Sequence, residues 1–69
     1  MMQPYQQRVV AEHDELYVRW VKLGKFLGDA TQEQVDEMGM EEYRRLSMQY
    51  TIMGEYVTIL ALRIDNFNQ

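Results

Sequence analysis

The side chains that could do chemistry are few and lie apart along the chain. His13 is the single histidine, and its neighbours Glu12 and Asp14 point to other faces of a helix. Ser47 is the single serine and has no surrounding pattern that would activate it. The chain has no cysteine, which excludes disulfides, thiolate catalysis and thiolate zinc sites. The sequence therefore predicts a non-enzymatic protein without metal or other cofactor, in which His13 is structural.

Two rows of apolar residues, spaced alternately three and four residues apart, predict the helices that carry these side chains. This spacing is typical of helices that pack against each other. The rows are Val9, His13, Leu16, Trp20, Leu23 and Leu27, and then Tyr43, Leu46, Tyr50, Met53, Val57, Leu60, Ile64 and Phe67. Together they are called the seam. The sequence predicts an all-α fold, a single domain of residues 1–69 built as an antiparallel two-helix hairpin.

The boundaries follow from local chemistry. Pro4 suits a first helical turn, so the first helix is predicted over about 5–27, with Gly28 at its end. Thr31 and Gln34 have capping-box spacing, which predicts a short helical turn that ends at Gly39 within the connection 28–40. The second helix is predicted over about 41–67. No apolar run reaches the ~20 residues of a membrane span.

Each predicted helix has a second apolar row outside the seam. A lone hairpin of this length buries only a thin core, so we expect these rows to be covered by a second copy. The predicted assembly is a symmetric homodimer, a four-helix bundle in which Gly24 and Gly54 let backbones approach closely. The predicted dimer interface consists of Val10, Tyr17, Val21, Met48, Ile52, Ile59 and Leu62.

Charge is uneven along the chain, whose net charge is −4. Six acidic residues, here called the acidic region, lie in the connection and the start of the second helix: Asp29, Glu33, Asp36, Glu37, Glu41 and Glu42. We interpret this region as a surface that binds a basic protein surface, and the alternative is a solvated, charge-balanced end. Nucleic acid is disfavoured as a partner because the net charge repels phosphate. The candidate partner-binding residues are Asp36, Glu37, Met38, Met40, Glu41, Glu42 and Arg45.

Three stretches carry a resemblance to a known family. The first stretch is Gln7-Arg8-Val9-Val10 with Glu12 and Glu15-Leu16. The second is Lys22-Leu23 with Phe26-Leu27-Gly28, and the third is Met53, Tyr56, Ile59-Leu60 and Arg63-Ile64. The chain resembles the small helical proteins of tailed phages and prophages, and among them the quorum-sensing anti-activators of Pseudomonas phages.

The resemblance implies a dimeric helical protein in the host bacterial cytoplasm. It implies binding to the DNA-binding region of a LasR-type transcription factor and inhibition of the type IV pilus assembly ATPase, which would give superinfection exclusion. No binding residue is carried over from the family.

Two alternatives stay open at this point. One is an oligomeric sponge for a nucleotide immune signal, in which Tyr17, Lys22, Lys25, Arg44 and Arg45 would stack on bases and hold phosphates. The other is a structural phage protein with a partner that the sequence does not identify. A thermal-shift screen with cyclic nucleotides would separate the sponge from the protein-binding inhibitor.

Overall fold

The regular structure is entirely helical within residues 2–67, which the computed structural model describes. Helix α1 spans Pro4–Asp29, α2 spans Gln32–Met38 and α3 spans Met40–Asn66. The predicted all-α class is confirmed. Residue 1 and residues 68 and 69 of the predicted domain lie outside the described residues.

Helix α1 is longer than the sequence pattern indicated. Pro4 occupies its first turn, where a backbone N–H would have no helical partner. The prediction that Gly28 ends this helix is wrong, because the helix continues through Gly28 to Asp29. Ala30 ends it instead, with extended backbone angles that lead directly into the cap of α2.

Helix α2 begins and ends as its local chemistry predicts. The Thr31 hydroxyl accepts from the Gln34 backbone N–H at 3.2 Å, and the Gln34 side chain accepts from the Thr31 N–H at 2.9 Å. This reciprocal capping box satisfies two donors that the helix itself cannot use. Gly39 ends α2 at a φ of +93°, which glycine adopts without strain, and α3 begins at the next residue.

Helices α1 and α3 pack antiparallel into a rod with extents of 50 × 15 × 14 Å. At one end the Tyr5 ring contacts the Phe67 ring edge-on, and at the other the Tyr43 hydroxyl donates to the Leu27 carbonyl at 3.1 Å. The seam residues are the sheltered ones, and Leu60 is fully buried. The core is nevertheless thin, as expected for two helices of this length.

The middle of the rod is held by two aromatic rings, each lying over a glycine of the opposite helix. Trp20 stacks on Tyr50 with ring centroids 5.4 Å apart, and its indole N–H donates to the Tyr50 carbonyl at 3.1 Å. A Cβ on Gly24 would lie 2.7 Å from the Tyr50 ring, and one on Gly54 would lie 3.0 Å from the Trp20 Nε1. Both glycines therefore serve packing within the chain, and the prediction that they bring two copies together is wrong.

Candidate interaction surfaces

The isolated polar residues of the sequence have structural partners nearby. His13 is half-buried, with Nδ1 3.1 Å from an Asp14 carboxylate oxygen and its ring stacked on Tyr17 at 6.0 Å. The Ser47 hydroxyl donates to the Tyr43 carbonyl one turn earlier, at 3.0 Å. Within residues 2–67, no group of three or more His, Asp or Glu side chains is placed to hold a metal ion.

Four members of the acidic region, Asp36, Glu37, Glu41 and Glu42, flank the junction of α2 and α3 along the chain, whereas Asp29 ends α1 and Glu33 lies in the first turn of α2. All six side chains are exposed. Asp36 accepts from the Gln32 amide at 2.9 Å, which fixes its carboxylate on the surface of α2. Arg45 lies 3.6 Å from Glu41 and 3.3 Å from Glu42 and so balances part of the negative charge on α3. The unbalanced acidic surface consequently lies toward α2.

The seven candidate partner-binding residues lie on both sides of this junction along the chain, within residues 36–45. Asp36 and Glu37 are exposed on α2, whereas Met38 is half-buried at its end. Met40 is 52% exposed at the start of α3, followed on the same helix by the Glu41, Glu42 and Arg45 cluster. The junction thus has exposed carboxylates on both helices and an exposed methionine between them in sequence, a combination that suits contact with a protein surface.

A second surface, here called the outer face of α3, is apolar. Met48, Ile52, Ile59 and Leu62 are each more than half exposed, at 63%, 63%, 54% and 58%. Because successive helix residues are about 100° apart, Ile59 and Leu62 lie almost opposite the buried Val57 and Leu60. The outer face of α3 therefore points away from α1.

The predicted dimer interface is divided between two sides of the molecule. The predicted residues on α3, Met48, Ile52, Ile59 and Leu62, form the outer face of α3. On α1, Tyr17 and Val21 each come one residue after a seam residue, so they are turned about 100° from the seam and lie beside it. Both of these are about half exposed, and Val10 is half-buried. The homodimer remains a prediction, and a single face containing all seven residues is not formed.

A third surface combines positive charge with an aromatic ring. Lys22, Lys25, Phe26 and Gln34 line an open depression of 350 Å³ together with Asp29 and Ala30. Lys25 is within 3.8 Å of Asp29, but both side chains are largely exposed, so the pairing is weak. Of the residues predicted for a nucleotide sponge, only Lys22 and Lys25 line this depression. The exposed ring of Phe26 lies on the same face of α1 as Lys22. The sequence pattern did not identify Phe26 as part of a candidate nucleotide site, although it directly follows Lys25.

Tyr56 and Glu12 form a polar contact between the two long helices that the sequence did not indicate. The Tyr56 hydroxyl donates to a carboxylate oxygen of Glu12. This hydrogen bond, more than any other influence, raises the pKa of Tyr56 above its ordinary value. The pair ties the edge of α3 to α1 on the solvent side of the seam.

None of the helices within residues 2–67 has the length and apolar character needed to cross a membrane. No curated protein and no solved structure matches the chain. A family model described as Sequestin matches residues 3–66, which include all three helices. The chain therefore belongs to the Sequestin family.

Proposed function

We propose that this protein is a non-enzymatic sequestering protein, which binds a target molecule and withholds it without changing it chemically. The observation that carries the proposal is the Sequestin match over residues 3–66, since the family name denotes sequestration. The sequence agrees with this proposal, because its one histidine and one serine are not accompanied by a catalytic constellation. The protein would act as a homodimer and present each binding surface twice.

The target that the acidic region fits best is a basic surface on a host protein. A DNA-binding region is such a surface, because it must attract phosphates. We propose that the acidic region covers the DNA-binding region of a LasR-type transcription factor in the host bacterial cytoplasm. The type IV pilus assembly ATPase is the second host target, as the resemblance to phage anti-activators implies.

Charge reversal in the acidic region tests the first target. Glu37→Lys with Glu41→Lys is expected to weaken binding to a purified LasR-type DNA-binding domain by about tenfold or more, because attraction becomes repulsion. The measurement is isothermal titration calorimetry at low and high salt. Asp14→Lys with Glu15→Lys is the matched control, since it changes the net charge equally on α1, and it should bind nearly as tightly as the wild type.

Equal binding by both variants would show that the acidic region does not contact the regulator. Absence of binding by the wild-type protein would remove this regulator as a target, and the same titration with the purified pilus ATPase would then test the second one.

A second candidate target is an anionic nucleotide signal, and the depression beside Lys22, Lys25 and Phe26 favours it. The exposed Phe26 ring offers a stacking surface for a base, and the two ammonium groups offer charge for phosphates. Its volume is within the range of small-molecule sites. In this case the protein would be a sponge for an immune signal rather than an inhibitor of a regulator.

A thermal-shift screen with cyclic nucleotides tests this candidate. A ligand present at about 100 times its Kd raises the melting temperature measurably by mass action. Lys22→Glu is expected to abolish that shift, whereas Arg8→Glu, on the first turns of α1, should retain it. A melting temperature unchanged by every nucleotide would eliminate the sponge at this depression.

A further inference from the structure

The outer face of α3 has a heptad register of its own. Met48, Ile52, Glu55, Ile59 and Leu62 follow one another at alternating spacings of four and three residues, over about 21 Å of helix. All five side chains are exposed. A groove of 320 Å³ beside Met48 and Ile52 adds a recess into which a neighbouring side chain can fit. Such a row is complementary to the same row on another helix, because its side chains serve as both knobs and holes.

We propose that two copies of the chain pack along these rows with their α3 helices antiparallel. This inference rests on the proposed homodimer and adds which helix makes the contact, its direction and its register. Met48 then lies opposite Ile59 of the second copy, and Ile52 lies opposite Glu55 of the second copy. Helix α1 of each copy stays on the outside, since the outer face of α3 points away from it.

The charged residues at and beside the row select the antiparallel direction. In a parallel pair, Arg45 would face Arg45 of the second copy, which places like charges together. In the antiparallel pair, Arg45 lies beside Leu62 of the second copy instead. The antiparallel arrangement also places the dipoles of the two long helices head to tail.

The flanks of the row are complementary in the same register. Glu42 and Arg63 lie on one flank, and Arg44 and Asp65 lie on the other. Antiparallel packing brings Glu42 to Arg63 of the second copy and Arg44 to Asp65 of the second copy, and two-fold symmetry repeats each pair.

All four side chains are exposed and therefore accessible to a second copy. Among the described residues, Arg44, Arg63 and Asp65 make no ion pair within the chain, and only Glu42 has one, with Arg45. Such surface pairs contribute little affinity but determine orientation, so the apolar row supplies the affinity and the flanks supply the direction.

Sedimentation of the purified full chain, without any target, tests the contact. The wild type is expected to be dimeric at about 100 µM, and Ile52→Asp with Ile59→Asp is expected to weaken the dimer by more than about a hundredfold. Both positions are exposed, so circular dichroism should show an unchanged helical content. Val18→Asp, at a 49% exposed position of α1, is the control and should remain dimeric. A monomeric wild type, or a dimer that survives the double substitution, would overturn the proposal.

Cysteine cross-linking tests the direction and register, since the chain has no cysteine of its own. Met48→Cys with Ile59→Cys is expected to give disulfide-linked dimers under diamide, joined between positions 48 and 59. The two positions are about 16 Å apart along one helix, too far to join within a chain. Met48→Cys alone should give none, because antiparallel packing separates the two copies of position 48.

Rapid cross-linking of Met48→Cys alone would indicate a parallel pair and overturn the proposed direction. A double variant that sediments as a dimer but does not cross-link would overturn the register and leave the homodimer and the sequestering function standing.

Discussion

Helix α3 carries two apolar faces that are alike in residue type and spacing but opposite in burial. On the seam, Val57 and Leu60 are buried, whereas on the outer face of α3, Ile59 and Leu62 are more than half exposed. Apolar spacing thus predicts that a helix has a face to cover, but it does not say what covers it. The two faces differ in shape, because only the seam places aromatic rings over glycines of the facing helix.

The largest expected effect is the loss of unfolding free energy when a side chain on the seam, rather than one on the outer face of α3, is truncated to alanine. Leu60→Ala removes a fully buried side chain and should lower the free energy of unfolding by about 2–5 kcal/mol, a large part of what a small domain has. Ile59→Ala, one residue earlier, should cost less than about 1 kcal/mol in the monomer. Urea denaturation followed by circular dichroism, at concentrations below the dimer Kd, measures both. Equal losses would contradict the assignment of the two faces.

A smaller effect tests the shape that makes the seam specific. Gly54→Ala would place a Cβ 3.0 Å from the Trp20 Nε1 and push the indole from the Tyr50 carbonyl, which should cost about 1–3 kcal/mol, offset in part by the about 1 kcal/mol that alanine gains over glycine inside a helix. Gly28→Ala is the matched control: it is also helical but has open space around it, and it should stabilise by about 0.5–1 kcal/mol. Thermal unfolding with tryptophan fluorescence measures both, and a Gly54→Ala variant as stabilised as Gly28→Ala would show that the ring does not need the glycine.

The smallest effect concerns the boundary between the two faces, where Tyr56 donates to Glu12. Because the hydrogen bond favours the protonated hydroxyl, the pKa of Tyr56 in the folded chain is raised above 10.0. Its contribution to stability is therefore present below pH 10 and is lost as the pH rises through the folded pKa. Glu12→Ala removes both the acceptor and the negative charge and should return the pKa of Tyr56 toward its ordinary value. Ultraviolet titration of tyrosinate, with Tyr56→Phe subtracted, measures the change, and an identical titration in Glu12→Ala would contradict the contact.

Local chemistry was readable from the sequence where a few adjacent residues decide it. The Thr31 and Gln34 capping box and the Gly39 helix end depend on neighbours within one turn, and the structure has both. The Glu41 and Arg45 pair formed for the same reason. Glu15 and Arg19 have the same spacing but are not within ion-pairing distance in the described part of the chain. Exposed pairs of this kind gain too little energy to be fixed by spacing alone.

The candidate surfaces were readable only in part. The acidic region could be predicted because its residues are close in sequence, and all six of its side chains are exposed in the structure. The depression beside Lys22, Lys25 and Phe26 could not, because Gln34 joins it from another helix and depends on how α2 folds back. The contact of Tyr56 with Glu12 was missed for the same reason, since 44 residues separate the partners.

The sequence by itself determined that the chain is helical, where its helices begin and end to within a few residues, and that each long helix has more apolar surface than one partner can cover. Periodicity and capping are local properties, so they are legible without a structure. Only the tertiary structure decided that Trp20 packs on Tyr50 within the hairpin and that Gly24 and Gly54 receive these rings within the chain. Those outcomes depend on the fit of Trp20 and Tyr50 over glycines of the opposite helix, and that fit exists only once both helices are placed side by side.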